Sequence, residues 1–220
     1  MSLNCGVDIT VDGLKTVVDI FEGSAAAKDV IFKNPIKDLH NLDIIPSSIR
    51  LTSTELNLTG RAGRENILKN FFLDNKEDLS GYDHILIDTN PSMGIVNQNA
   101  FLAADSLILV SDVSLNGIQG AELFIELWED ARRHLRKENN IKALIINNFD
   151  KRIKLSSELV EYTADNESTK DIILKTVIPA SVQVKNCEIE HYPINYLHRN
   201  GKIHEAYKNM IAELKERGIL

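Results

Sequence analysis

The sequence predicts an α/β protein built on a doubly wound, mostly parallel sheet. Three short continuous apolar runs predict it: Ile85-Leu-Ile87, Leu107-Ile-Leu-Val110 and Ala143-Leu-Ile-Ile146. Runs of this kind, without polar alternation, mark strands buried on both faces, as in parallel sheets covered by helices. The intervals between them are long enough for crossover helices, so βαβ units are the natural connection.

Each element follows from local pattern. Leu14 to Phe21 reads as a helix with Leu14, Val17, Val18 and Phe21 on one face and Gly23 as its stop. Ser24 is the expected N-cap of a second helix, Ala25 to Phe32, closed by Pro35. Leu42 to Ile45 is a strand ended by Pro46. Glu65 to Phe72 carries a helical stripe of Ile67, Leu68, Phe71 and Phe72. The Ile85 run leads through a turn into a helix rich in Asn and Ala that ends before Leu107. Gln119 to Leu135 is the longest helix, with Leu123, Leu127 and Ala131 expected on its inner side. Ile172 to Ile178 is the last strand. Glu205 to Arg217 is a terminal helix turning Ala206, Met210, Ile211 and Leu214 to the core.

Composition narrows the class. The chain of 220 residues is 43% hydrophobic and 26% charged, ordinary for one sizeable globular core, and is read as a single domain over 1–220. No apolar run approaches the roughly 20 residues of a membrane span. The first residues lack the basic and apolar regions of a signal peptide. Cys5 and Cys187 are far apart, so neither a disulfide nor a metal site is the expectation, and two reduced thiols fit the cytosol. A net charge of −7 argues against a surface built wholly for nucleic acid and leaves room only for a local basic patch.

The most informative stretch is His84-Ile-Leu-Ile-Asp-Thr-Asn-Pro-Ser-Met-Gly94. Here an apolar run delivers a carboxylate, Asp88, to its end, and a Pro-Ser-x-Gly turn and a helix follow. Ligands of parallel α/β sheets bind outside the carboxyl ends of the strands. A carboxylate there either orients water or metal in phosphoryl transfer or simply caps the turn. Asn99-Ala-Phe-Leu-Ala-Ala-Asp-Ser-Leu-Ile-Leu-Val110 then runs into the next strand.

Together these segments resemble the switch region of ParA/MinD-type (Soj-like) partition ATPases of the P-loop class. In that family a strand leads into Asp-x-Pro-Pro-Ser-x-Gly, then Asn-Ala and Ala-Ala-Asp. Asn90 stands where the family has the first proline. Asn41-Leu-Asp-Ile-Ile-Pro-Ser47, Asn147-Asn-Phe-Asp150 and Thr176-Val-Ile-Pro179 extend the resemblance along the chain. The family's phosphate loop, G-x-x-x-x-G-K-[ST], does not occur in these residues. The resemblance therefore implies a P-loop NTPase fold without its N-terminal strands, the matching part starting near Asn4. Either a truncation, with Met1-Ser2-Leu3 as an added start, or a natural pseudo-enzyme accounts for that. The missing first strand would lie beside the strand carrying Asp88 and would leave a hydrophobic edge open.

The resemblance also assigns roles. Asp88 would be catalytic, near a magnesium ion through water, and Thr89, Ser92 and Gly94 would form the switch. Asn147 would read the adenine edge, since an amide offers both donor and acceptor, with Asn148 blurring the assignment by one residue. Pro179, Ser181 and Val182 would wall the base, with Ile178 adding apolar contact. Arg132, Arg133, Arg136 and Lys137 would be a DNA-phosphate face, or else a solvated helix end complementing the helix dipole.

The implied function is a plasmid or chromosome partitioning ATPase. It would use ATP and Mg, form a nucleotide-bound homodimer, bind non-specific DNA and a centromere-binding partner protein, and work in the cytoplasm on the nucleoid rather than on a membrane. The alternative is a catalytically inactive ParA-like interaction or DNA-binding module. A membrane-acting MinD relative is disfavoured because the last residues, Gly218-Ile-Leu220, add no basic amphipathic helix. Without G-x-G-x-x-G, a Rossmann dehydrogenase is disfavoured too.

Overall fold

Thr16 opens the first helix, α1 (Val17–Glu22), through a capping box. Its hydroxyl accepts the Val18 N–H, and its own N–H donates to the Asp19 carboxylate at 2.8 Å. Gly23 ends α1 in the left-handed conformation, as the sequence predicts. The structure, a computed structural model, describes residues 2, 5–9, 11, 13–36 and 39–220. Asn4, where the resemblance begins, lies outside the described residues, as do Met1 and Leu3. Two compact units emerge, residues 1–104 with 188–192, and residues 105–187 with 193–220.

In the first unit the second helix is shorter than expected. It is α2 (Ala27–Val30), started by Ala26 rather than Ser24, because Asp29 and Asn75 take up the Ala26 and Ala27 N–H groups. Phe32 leaves the helix for a strand, β1 (Phe32–Lys33), which pairs antiparallel with β2 (Asp43–Ile44). The helices α3 (Leu51–Asn57), α4 (Ile67–Asp74), α5 (Lys76–Leu79) and α6 (Ile95–Ala103) complete the unit. Asn99, fully buried on α6, joins it to α4. Its amide oxygen accepts the Leu68 N–H at 3.1 Å, and its nitrogen donates to the carbonyls of Arg64 and Ile95.

Ile85–Ile87 departs from expectation. Residues 84–90 form no strand among the described residues, and Ile85, Leu86 and Ile87 are 48%, 78% and 36% exposed. A strand is defined by its neighbour's hydrogen bonds, and this run has the composition of a strand without such a neighbour.

The second unit carries a parallel sheet, β3 (Leu107–Asp112), β4 (Ile141–Phe149) and β5 (Ile173–Pro179), in that spatial order. Its helices are α7 (Leu115–His134), α8 (Lys154–Asp165), α9 (Val182–Glu190), α10 (Ile194–Leu197) and α11 (Lys202–Glu216). Along β4 the faces alternate. Ala143 and Ile145 join Leu174, Ile178, Ile203 and Leu214 in one core, and Leu144 and Ile146, pointing the other way, are equally buried. On α11 the expected core residues hold for Leu214, Ala206 and Met210, but Ile211 is 42% exposed and Ile203 takes the inner position.

The long helix turns the other way from the sequence expectation. Ile118 and Trp128 are its buried residues, whereas Leu123 and Leu127 are exposed. Trp128 fixes this rotation: its ring is completely enclosed and its Nε1–H donates to the Asn140 side chain at 3.0 Å.

The two outer edges of the sheet differ. At β5 the Glu213 carboxylate accepts the N–H groups of Lys175 and Thr176 at 2.8 and 2.9 Å. Arg217 donates to the carbonyls of Ile172 and Ile173 and pairs with Glu213. At β3 no strand pairs on the outer side among the described residues.

Candidate functional site

In the first unit the site is the turn from Asp88 to Gly94. Asp88, Thr89, Asn90, Pro91 and Ser92 are all exposed. The turn is tied to the first part of α6 by Asn97, which is 5% exposed. The Asn97 Nδ2 lies 2.7 Å from the Asn90 carbonyl, 2.6 Å from its Oδ1, and 2.9 and 3.1 Å from the Ser92 carbonyl and hydroxyl. Ser92 also accepts the Gly94 N–H at 3.3 Å. The expected freedom of Gly94 has a different basis: its φ is an ordinary −63°. The Glu55 carboxylate lies where a β-carbon would stand and takes the Val96 N–H at the start of α6, so a larger residue at 94 would have to push that flexible side chain aside. A carboxylate there suits the positive end of the helix.

In the second unit the site is the carboxyl edge of the parallel sheet. Ser114 caps α7 by accepting the Gly117 N–H at 3.0 Å. Gly117 is needed for that close approach, since a β-carbon would stand 2.6 Å from the Asp112 carbonyl. Asp112 ends β3 in register with Asn147 on β4. Of the two asparagines, Asn148 adopts the left-handed conformation that Asn tolerates, and its amide donates to the Asp112 carboxylate at 2.9 Å. Asn147 has its carbonyl engaged by Val113, while its side-chain amide makes no hydrogen bond among the described residues.

Pro179 closes β5 opposite Phe149, and the next N–H, of Ala180, donates to the Phe149 carbonyl. Ser181 accepts the Gln183 N–H at 3.2 Å and so starts α9, and Val182 is 73% exposed. Ile178 cannot contribute: it points into the core beside Ala143 and Leu174. One pair escaped the sequence reading although Asp150 lies in a quoted motif. Arg152 grips Asp150 through its side chain and its backbone N–H, and holds that carboxyl down to about 2. The pair shapes the loop between β4 and α8.

The basic cluster at the end of α7 is partly occupied. Glu129 receives Arg132 through two bonds, Nε at 2.6 Å and Nη2 at 2.5 Å, and also Arg133 at 3.1 Å. Arg132 reaches on to the Lys137 carbonyl, and Arg136 turns the chain with a positive φ. Arg132 in particular works as a helix-end brace.

For a bound nucleotide the fit divides. Asn147, Pro179 and Val182 suit a planar base, with one free amide and apolar walls. The triphosphate finds no Gly-rich loop and lysine in these residues. Among the described residues no cluster of three His, Cys, Asp or Glu side chains could hold a metal ion. A single exposed carboxylate, Asp88, fits only a magnesium ion that takes its other ligands from phosphates and water.

A three-stranded parallel sheet flanked by helices makes this an α/β protein, and the solved structures it resembles, the cell division ATPase MinD of Pyrococcus furiosus among them, share that fold. Residues 2–142 match the AAA_31 family, described as an AAA domain, and the chain belongs to that family, as a protein of the ParA/MinD partition type. It is 27% identical over 202 residues to the sporulation initiation inhibitor protein Soj of Bacillus subtilis, covering 92% of this chain and 77% of that protein. It is also 27% identical over 202 residues to the chromosome-partitioning ATPase Soj of Treponema pallidum, with the same coverage. In fold it resembles the ATP complex of Cyanothece McdA(D38A), with a TM-score of 0.82, 16% identity, and 97% and 80% of the two chains covered. It spans 62% of a Mycobacterium tuberculosis relative. No helix among the described residues is long and apolar enough to cross a membrane.

Proposed function

We propose that this chain is part of a partition ATPase, and that its nucleotide site is completed by a phosphate loop carried on polypeptide other than these 220 residues. The observation that most supports this is the match to the Soj proteins across 92% of the chain, including the Asp88 turn and the Asn147 strand end. In this reading Asp88 orients water beside a magnesium ion, and Thr89, Ser92 and Gly94 respond to the terminal phosphate. Asn147, Pro179, Ser181 and Val182 hold the adenine. The complete protein dimerises on ATP, coats DNA without sequence preference, answers to a centromere-binding partner and works in the cytoplasm on the nucleoid. Arg132, Arg133, Arg136 and Lys137 are the cations available for DNA, and phosphate there must compete with Glu129 for two of them. The second reading, an inactive interaction module, is favoured by the absence of the phosphate-loop motif.

Calorimetry with ATP and magnesium separates the parts of this proposal. These 220 residues should show no tight binding, because the backbone donors and lysine that hold a triphosphate are lacking. A polypeptide that adds the loop should bind stoichiometrically and hydrolyse ATP, with turnover abolished by Asp88→Ala. Tight binding by the present chain would place a phosphate site within it. A loop-bearing protein without turnover would favour the inactive module.

A further inference from the structure

We infer that Asn97 is the positioning residue of the switch turn, its amide fixing the backbone at Asn90 that a proline would otherwise stiffen. At Asn90 the chain departs from the double-proline pattern it resembles, so one rigid φ is lost just two residues after Asp88. The structure shows what stands in for it. Asn97 is buried on the first turns of α6, and its Nδ2 reaches both oxygens of Asn90 and both oxygens of Ser92 within 3.1 Å. Its two amide hydrogens are shared among these four acceptors, bridging one residue on each side of Pro91.

The donor is well anchored and the acceptors are not. Two residues along α6, the fully buried Asn99 ties the helix to the Arg64 carbonyl and the Leu68 N–H. Asn90 and Ser92 are exposed, and the Ser92 N–H to Asn90 carbonyl bond of 2.9 Å spans only two residues. Only a side chain with two hydrogens on one nitrogen and no negative charge can serve all four oxygens. Aspartate has the same shape but donates nothing when ionised.

The inference rests on the proposed function only in calling this turn a switch; the lock itself is read without nucleotide. Hydrogen exchange on the full chain, resolved at the amides of Ser92 to Val96, tests it. Asn97→Ala and Asn97→Asp should each speed exchange there by roughly tenfold, the loss expected for one to two bonds. Leu144 to Ile146, in the other unit, serve as the unchanged reference. Adding Asn90→Pro to Asn97→Ala should recover most of the protection, because the proline ring fixes the φ at 90 that the Asn97 amide otherwise holds. Asn99→Ala, which breaks the α4–α6 tie instead, should not be rescued by Asn90→Pro. If Asn97→Ala strips protection from all of α4 and α6, Asn97→Ser, keeping one donor, replaces it under the same criterion. Unchanged exchange in the Asn97 variants, or a Pro variant that exchanges as fast as its Asn97→Ala parent, overturns the inference.

Discussion

The outer edges of the β3-β4-β5 sheet solve the same problem in different ways. At β5, α11 supplies a carboxylate and a guanidinium that take the place of a neighbouring strand's carbonyls and N–H groups. At β3 no strand pairs on the outer side among the described residues, and Val110 leaves part of one face of the strand in solvent. A sheet edge is a template for another strand unless something blunts it. The comparison teaches that side chains of α11 cap one edge of this sheet, whereas no strand pairs with the other among the described residues.

The largest effect should come from the face contact that β3 depends on. Trp128→Ala removes a side chain with no exposure together with its bond to the Asn140 side-chain oxygen, so it should cost about 3–5 kcal/mol in urea unfolding. A cost under about 1 kcal/mol, as for an ordinary surface change, would mean that α7 does not secure β3 and that its outer edge must be held in some other way.

Glu213→Ala sharpens the other side. It leaves two backbone N–H groups without their acceptor and removes one of the three partners of Arg217, and should cost about 1–3 kcal/mol. Burial pushes the Glu213 carboxyl up, but the bonds from Lys175, Thr176 and Arg217 together outweigh it and hold the group below its ordinary value. Its contribution is therefore complete above the ordinary glutamate value of about 4.3 and is lost as pH falls through the lower folded value. Wild type should lose stability over that acid range, and Glu213→Ala should lose less there. Parallel acid profiles for the two proteins would remove Glu213 from the edge.

The smallest energetic effect belongs to the open edge. Val110→Lys should change stability by less than about 0.5 kcal/mol, because the side chain is already in solvent. It should instead lower concentration-dependent association in sedimentation or light scattering, as a charge does on any exposed strand. Equal association in both proteins would show that the β3 edge is not the adhesive one.

The strands were legible where chemistry alone specifies them. Leu107–Val110 and Ala143–Ile146 are continuous apolar runs and Ile172–Ile178 is an apolar run broken only by Lys175 and Thr176, and they form the three strands of the sheet, the last from Ile173. Ile85–Ile87 has the same composition yet forms no strand, since pairing is a property of two segments. The longest helix shows a second limit. With Leu115, Ile118, Leu123, Phe124, Ile125, Leu127 and Trp128 it is apolar on more than one face, so the helical period could not choose which face to bury. The site reads likewise: Asp88 and the two asparagines were visible, but the engagement of Asn148 by Asp112 was not.

By itself the sequence determined the class of fold, the three strands of the parallel sheet and the family, because these rest on local pattern and on motif order. Tertiary structure decided which face α7 buries, which sheet edge is capped and which residue holds the turn. Those outcomes depend on partners far apart in sequence, Trp128 with Asn140, Glu213 with Lys175 and Thr176, Glu55 with Val96, whose meeting is fixed only when the chain packs. Burial and hydrogen bonding are properties of neighbours in space, and the sequence names the neighbours only along the chain.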